Sequence, residues 1–451
     1  MKKEPKIIII GAGPCGLGAA WRLEELGYRN YKVLEKNSYA GGLATSIVDS
    51  KGYTWDIGGH VIHSHYPYFD AMFKDVMKSD LFDHRRNAWI RMFDTWIPYP
   101  FQNNIHRLPL RIRNECLAGL KKISLLKRTK KKNENFSHWI RHSFGIGIAK
   151  YFLKPYNEKV WSHPIDDLSV TWVGERLSPV RIKRIEENIR LQRDDASWGP
   201  NATFLYPKRG GNGELWKRVA QRLTHHIHFV TNVLKINTES STITTNSETI
   251  QYDHVLTTLP LTLLERMISG VNIPHHSGVL YSNTVLIVGL GIRGAIPSDL
   301  ATKCWMYFPD KSIPFYRATV LSNYSKMNVP ADHWSLLLEI SFQHGNINTV
   351  TDEIINTCIQ GAIKTGLLNV SHNIDQTWSL TVPYGYPIPS LGRDAYLRET
   401  IPIFDTAHVY SRGRFGGWKY EVSNQDHSFM QGVEWVDHVL MGKKEEIYTT
   451  I

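Results

Sequence analysis

Residues 5–18 read PKIIIIGAGPCGLG, an apolar run that breaks into a glycine-rich turn, and Glu35 follows 19 positions beyond Gly16 at the end of a second apolar run. Glycine at 11, 13 and 16 is the spacing by which a chain turns out of a strand, brings its backbone against a pyrophosphate and packs the next helix closely on the sheet. The acid at 35 is placed to accept hydrogen bonds from a ribose. The chemistry is dinucleotide binding, with the phosphates at a helix N-terminus. Residues 17–27, LGAAWRLEELG, set Ala19, Ala20, Leu23 and Leu26 at helical spacing, so strand, turn, helix and acid occur in the order the motif needs.

Two further glycine pairs bear on which dinucleotide is bound. Gly41 and Gly42 follow Glu35, and Gly58 and Gly59 precede His60 in the run YTWDIGGHVIHSHY. Each pair permits close approach of backbone to a ligand. Such pairs are a feature of flavoproteins of the amine-oxidase and reductase superfamily, which favours FAD over NAD. His60, His63 and His65 crowd into six residues, but neither cysteines nor an HExxH spacing accompany them, so no metal is expected. A second glycine triplet, Gly289, Gly291 and Gly294, follows TVLIVGL; with Pro297 close behind and no amphipathic helix opening, it reads as continued strand or a bulge.

Composition supplies the frame. With 451 residues, 42% hydrophobic and 21% charged, the chain reads as a soluble globular protein of two or three domains. The basic start and the apolar stretch from Ile7 to Trp21 imitate a secretory leader, but the glycines and Glu35 argue that this segment is retained. No apolar run reaches the roughly 18–20 residues that span a bilayer. Cys15, Cys116, Cys304 and Cys358 lie far apart, as suits a reducing cytoplasm. The net charge of +11 draws on KRTKKK at 127–132, read as a solvated face rather than a nucleic-acid site because no recognition motif accompanies it. Its potential would still attract a doubly charged nucleotide.

Blocks spread along almost the whole chain carry a specific resemblance: GGHVIHSHY at 58–66, PYPFQNN at 98–104, KPYNEKVW at 154–161, GERL at 174–177, WGPNATF at 198–204, KCWMYFPD at 303–310, PFYRATVLSNYS at 314–325, GYPIP at 385–389 and SRGRFGGWKYEVSNQDHSF at 411–429. The chain resembles the eukaryotic branch of the UDP-galactopyranose mutases. That resemblance implies an FAD-dependent isomerase that interconverts UDP-galactopyranose and UDP-galactofuranose, a precursor of cell-surface glycans. In it the N5 of reduced flavin attacks the anomeric carbon and the diphosphate leaves and returns. It implies NADPH or another reductant, with no separate nicotinamide domain. The alternatives are a mutase for a related UDP-sugar such as UDP-N-acetylgalactosamine, or an FAD-dependent oxidoreductase of the amine-oxidase superfamily.

The resemblance also assigns residues. Arg176 and Arg317 match its phosphate-binding pair, a task suited to a planar guanidinium. Tyr324, Tyr386 and Tyr420 match phosphate-contacting tyrosines. Tyr99, Phe101, Gln102, Tyr156, Asn157 and Trp161 match the uridine pocket, and Asn201, Trp305, Tyr307 and Arg414 the surroundings of sugar and flavin. Gly59 would accept from the N5 hydrogen of reduced flavin, His60 would lie against the ring, and Gly11, Gly13, Gly16, Glu35, Gly42, Gly58, His63, Asn424 and Gln425 would hold the cofactor, with SNQDHSF opening the last helix. The family carries an aromatic residue at His63, which leaves the sugar open. The chain stops at Ile451 without the extension tied to higher oligomers, so a monomer or dimer is expected.

The expected architecture is α/β. A Rossmann-like FAD-binding domain is assembled from 1–92, 205–268 and 390–451, a helical substrate domain from 106–197, and an antiparallel sheet domain from 93–105, 198–204 and 269–389. The glycine-rich stretch around 200–213 is expected to form a mobile lid.

Overall fold

The structure is a computed structural model that describes residues 4–125, 134–196, 202–274, 278–347 and 349–448. The four isoleucines Ile7–Ile10 form a strand buried on both faces, as a parallel sheet covered by helices requires. This strand is the middle one of a five-stranded parallel sheet whose order is 409–411, 254–257, 7–10, 31–34 and 227–228. Three separate stretches of chain therefore meet in one sheet. At its C-terminal edge Gly11 turns at φ +102°, and helix Pro14–Glu25 packs so near that a Cβ on Gly16 would stand 1.9 Å from the Gly11 carbonyl oxygen. The last helix, Gln425–Met441, lies equally close along it: a Cβ on Gly18 would meet the Phe429 carbonyl oxygen at 2.1 Å. That contact aims the N-terminus of the last helix at the same edge of the sheet.

Between 106 and 197 the described chain is largely helical, with helices Leu110–Ser124, Phe136–Ile148, Lys154–Trp161 and Ile182–Leu191 and a single π turn at Ala149–Leu153. Phe101, Phe136, Phe144, Ile148 and Trp172 form its core. The basic run at 127–132 lies outside the described residues.

The third layer is an eight-stranded sheet built around Tyr281–Arg293, which pairs antiparallel with His333–Gln343 and Asn373–Val382. The second glycine triplet begins inside that long strand, with a register shift between Gly291 and Ile292. Gly289 and Gly291 leave room for rings: a Cβ on them would stand 2.6 Å from Trp55 and 2.4 Å from Tyr53. The boundary expected at residue 92 differs here. Strand Ala88–Met92 belongs to this sheet, parallel to Trp305–Tyr307, because alternate burial of Ala88, Ile90 and Met92 suits a sheet with one covered face.

Of the stretch expected as a lid, residues 200 and 201 lie outside the described residues and the rest is well bonded. Thr203–Pro207 pairs antiparallel with Leu81–Arg85, and the following turn is held by the buried Asp56, which accepts from the Ser46 hydroxyl, the Tyr206 hydroxyl at 2.7 Å and the Asn212 N–H at 3.0 Å. Burial pushes the Asp56 carboxyl up from 3.8 to about 6, against those hydrogen bonds. The protonated form is thus favoured on folding: its stabilisation is complete below pH 3.8 and is lost as pH rises through about 6. Denaturant titrations should show up to about 3 kcal/mol lost over that window, with a flatter slope in Asp56→Asn.

Candidate active site

Two clefts open where the three layers meet. The first, of about 530 Å³, runs along the sheet edge and is lined by Gly11, Gly13, Glu35, Gly42, Gly58, Gly59, His60, His63, Arg414, Asn424 and Gln425. Gly16 lies beneath it as the packing contact already described. Glu35 is held by the N–H groups of Ala12 at 2.8 Å and Asn37 at 2.9 Å, which fixes its carboxylate at the end of its strand. Gln425 is likewise fixed, its side-chain oxygen accepting from the Trp216 indole at 2.6 Å. The last helix begins with Asn424 as its cap residue, and no side chain caps its first N–H groups, so its positive end faces the cleft.

The loop from Gly58 to Tyr66 crosses between the clefts. Gly59 donates its N–H to Glu339 Oε1 at 3.1 Å and its carbonyl accepts from the Trp305 indole at 3.0 Å. A Cβ there would stand 2.6 Å from Thr319 Oγ1, so only glycine fits. Burial, followed by the positive charges of Arg317 and Arg414, pushes His60 down to about 4, leaving a neutral imidazole. Of the loop histidines, His65 joins Asp426 and His427 in a trio whose ligand atoms lie within 4.8 Å, a grouping the sequence did not reveal. In it Asp426 sits 2.7 Å from His65 Nδ1 and 3.0 Å from His427 Nδ1, as a hydrogen-bond acceptor to both.

The second cleft, of about 650 Å³, is lined by Tyr99, Tyr156, Asn157, Trp161, Arg176, Trp305, Tyr307, Arg317, Tyr386 and Tyr420. Helix Lys154–Trp161 supplies three of these, and Tyr156 and Trp161 both reach the cleft although five residues apart. The wall is aromatic: Phe152 stacks on Tyr156 with centroids 5.5 Å apart, and Trp161 stands edge-on to Tyr420 at 4.9 Å. Arg176 lies 4.4 Å over the Tyr420 ring and donates to the carbonyls of Tyr420 and Glu421. The two clefts share His63, Trp305, Tyr316, Tyr386 and Asn424.

Three residues assigned to the site by resemblance are placed elsewhere. Phe101 is fully buried, stacked at 4.7 Å on the far side of Phe152, so it supports the wall without facing the cleft. Gln102 is turned inward, donating to the Ser178 carbonyl at 2.7 Å. Tyr324 is fully buried among Phe204, Tyr206 and Trp305. Asn201 lies outside the described residues. Sequence reasoning missed Glu339, which grips Arg317 through two bonds of 2.6 and 2.7 Å and takes a third from Tyr316. Burial alone would raise its carboxyl, but Arg317 holds it below the usual range; Glu339 in turn drives the Arg317 guanidinium well up against its own burial. A glutamate inside WSLLLEISF was the available signal, since a charge in an apolar strand needs a partner. Arg86 and Glu421 also line the second cleft and were not foreseen.

The model of the flavin-containing amine oxidoreductase family matches residues 14–273. A crystal structure of reduced UDP-galactopyranose mutase is similar at TM-score 0.95 and 43% identity, covering 99% of this chain and 96% of that one. A fatty acid isomerase from P. acnes, at TM-score 0.66 and 14% identity over 98% of this chain and 100% of that one, shares the fold alone. Among curated proteins, a 1-hydroxycarotenoid 3,4-desaturase of Flavobacterium sp. strain P99-3 is 51% identical over 53 residues, 12% of this chain and 10% of that protein. The chain spans about a tenth of the length of that relative. It belongs to the flavin-containing amine oxidoreductases, and within them to the UDP-galactopyranose mutases. It is an FAD-dependent enzyme, and the first cleft fits that group: Arg414 Nε and His60 Nδ1 are buried there without a hydrogen-bond partner among the described residues, and a Cβ on Gly42 would stand 3.3 Å from the Gly13 Cα. Among the described residues no helix is long and apolar enough to cross a membrane.

Replacing Glu339 by Gln leaves Arg317 buried beside a neutral group, and thermal or urea unfolding should register a loss of roughly 3 kcal/mol. Tyr324→Phe should leave the second cleft unaltered, with unchanged ligand affinity, because among the described residues its hydroxyl reaches only the Cys304 carbonyl, at 3.5 Å.

Proposed function

We propose that the protein interconverts UDP-galactopyranose and UDP-galactofuranose with the sugar held where the two clefts join. The observation that carries this reading is the pair Arg176 and Arg317 in an aromatic-walled cleft that opens directly into the cofactor cleft. An amine or hydrocarbon substrate has no use for two guanidinium groups there; a diphosphate does. Tyr156 and Trp161 offer faces to a uracil, and Asn157, whose amide donates to the Leu153 carbonyl at 2.8 Å, keeps its oxygen for a base edge. Tyr386 and Tyr420 donate hydroxyl hydrogens to phosphate oxygens without adding charge.

Reduced FAD, when bound, supplies an electron-rich nitrogen for exchange at the anomeric carbon. The chain's own work is to hold and release. Arg176 and Arg317 stabilise the negative charge that accumulates on the departing diphosphate and keep it close for return. The uncapped start of the last helix offers positive potential to the anionic reduced ring. Neutral His60 faces that ring without adding charge, and Trp305 and His63 enclose the junction against water.

The same reading takes the enzyme as a cytoplasmic monomer or dimer that feeds galactofuranose into cell-surface glycans and binds no nucleic acid. The four cysteines, all buried and unpaired, are consistent with that compartment. Its reductant is NADPH or an equivalent donor.

UDP-galactofuranose incubated with the holoenzyme should be converted to the pyranose with dithionite present and not without it. Conversion independent of reduction, or none in either sample, overturns the reading. Arg317→Ala should cost about 2–4 kcal/mol of transition-state binding, read as a fall in kcat/KM of about 30- to 1,000-fold.

A further inference from the structure

Asp426 stands in the first turn of the last helix with its side chain fully buried, yet it belongs to neither the arginine pair nor the dinucleotide motif. One of its oxygens, Oδ2, accepts the backbone N–H of His65 at 3.0 Å and lies 2.7 Å from His65 Nδ1. The other, Oδ1, lies 3.0 Å from His427 Nδ1. Burial opposes the charge, but the two imidazole partners hold the carboxyl well below its usual range, so it is an anion at working pH. The opposite end of the same loop is tied as firmly, since Gly59 is bonded on one side to Glu339 and on the other to Trp305. His63 lies between these ties, bordering both clefts, with its ring 5.2 Å from that of His65.

We propose that Asp426 is a positioning residue: its carboxylate clasps the far end of the histidine loop to the last helix and so fixes His63 and the loop backbone at the junction of sugar and cofactor. The proposal rests on the reading of that junction as the place of reaction. The arrangement has a direct physical logic. The loop carries one glycine pair at Gly58 and Gly59, and its middle is pinned at the buried Ile62, which exchanges two backbone hydrogen bonds with Leu205; the stretch beyond, from His63 to His65, is left to polar ties. A carboxylate is the one small side chain that can serve a backbone N–H and two imidazoles together, because only it has acceptor capacity on both oxygens. The nearby helix N-terminus favours the anion further. His65 and His427 border the same cleft as Arg176 and Arg317, but the two arginines are held by other partners, the Tyr420 and Glu421 carbonyls and the Glu339 carboxylate, so loss of the clasp should disturb the junction and leave their grip on a nucleotide intact.

The test compares wild-type, Asp426→Ala and His65→Ala holoenzymes, the second variant removing one arm of the clasp from a ring that is partly exposed and so sparing the fold. Expected are a fall in kcat of about 10-fold or more, a KM for UDP-galactopyranose and a Kd for UDP that stay within about threefold, and a shifted flavin midpoint potential, with Asp426→Glu recovering part of each. Unchanged kcat and potential in both variants overturn the proposal, as does a loss confined to KM or to melting temperature. If wild-type enzyme fails to isomerise the UDP-sugar, the functional reading fails, whereas the potential and the UDP affinity still decide the clasp.

Discussion

Arg317 and Glu339 form the contact on which the rest of the site depends. A guanidinium and a carboxylate on neighbouring antiparallel strands, 2.6 and 2.7 Å apart, are both withdrawn from bulk water. Neither could be buried alone, since an unpaired ion in a protein interior costs several kcal/mol. Paired, they allow a permanent positive charge to stand at the wall of an aromatic-lined cleft. Glu339 reaches further, because the oxygen that takes Arg317 Nε also takes the Gly59 N–H. The cation that lines the second cleft and the loop backbone that lines the first are therefore held by one carboxylate.

Legibility followed the range of the forces involved. The dinucleotide motif was readable because every part of it is local: strand, turn and helix within 20 residues, and an acid one strand later. The last helix and the chain's mixed α/β character were readable for the same reason. The sequence spacing of the second glycine triplet imitated the first, but Gly289 and Gly291 are small because Trp55 and Tyr53 lie across them, a cause located more than 200 residues away. The same blindness to distant partners explains why some of the assigned residues stand away from the clefts. Phe101 and Tyr99 are two residues apart in one block, yet only Tyr99 reaches the cleft; Phe101 is turned behind Phe152 by the helical segment that follows. Tyr324, beside the Arg317 strand in sequence, is carried by a short 3-10 turn into the aromatic core around Tyr206. Glu339 stands outside the blocks that carry the resemblance, and Asp426, although inside one, shows its partners only in the fold.

The described part of the glycine-rich stretch before residue 213 owes its small residues to packing. Glycine and proline there mark tight packing: Gly211 and Gly213 sit where a Cβ would strike Ser46 and Asp56 or the backbone of Thr45 and Ser46. Small residues were required by a crowded contact, and the strand preceding them completes a hairpin-like pair with Leu81–Arg85.

The aromatic wall of the second cleft has a separate origin from the cofactor cleft beside it. Tyr156, Asn157 and Trp161 stand on one short helix within the helical segment, while the glycine turn, Glu35 and the start of the last helix belong to the parallel sheet and its helices. The junction between the clefts is only five residues wide in composition. On the proposed reading base preference is therefore modular: Tyr156, Asn157 and Trp161 can be exchanged on a single helix while the cofactor cleft keeps its own geometry.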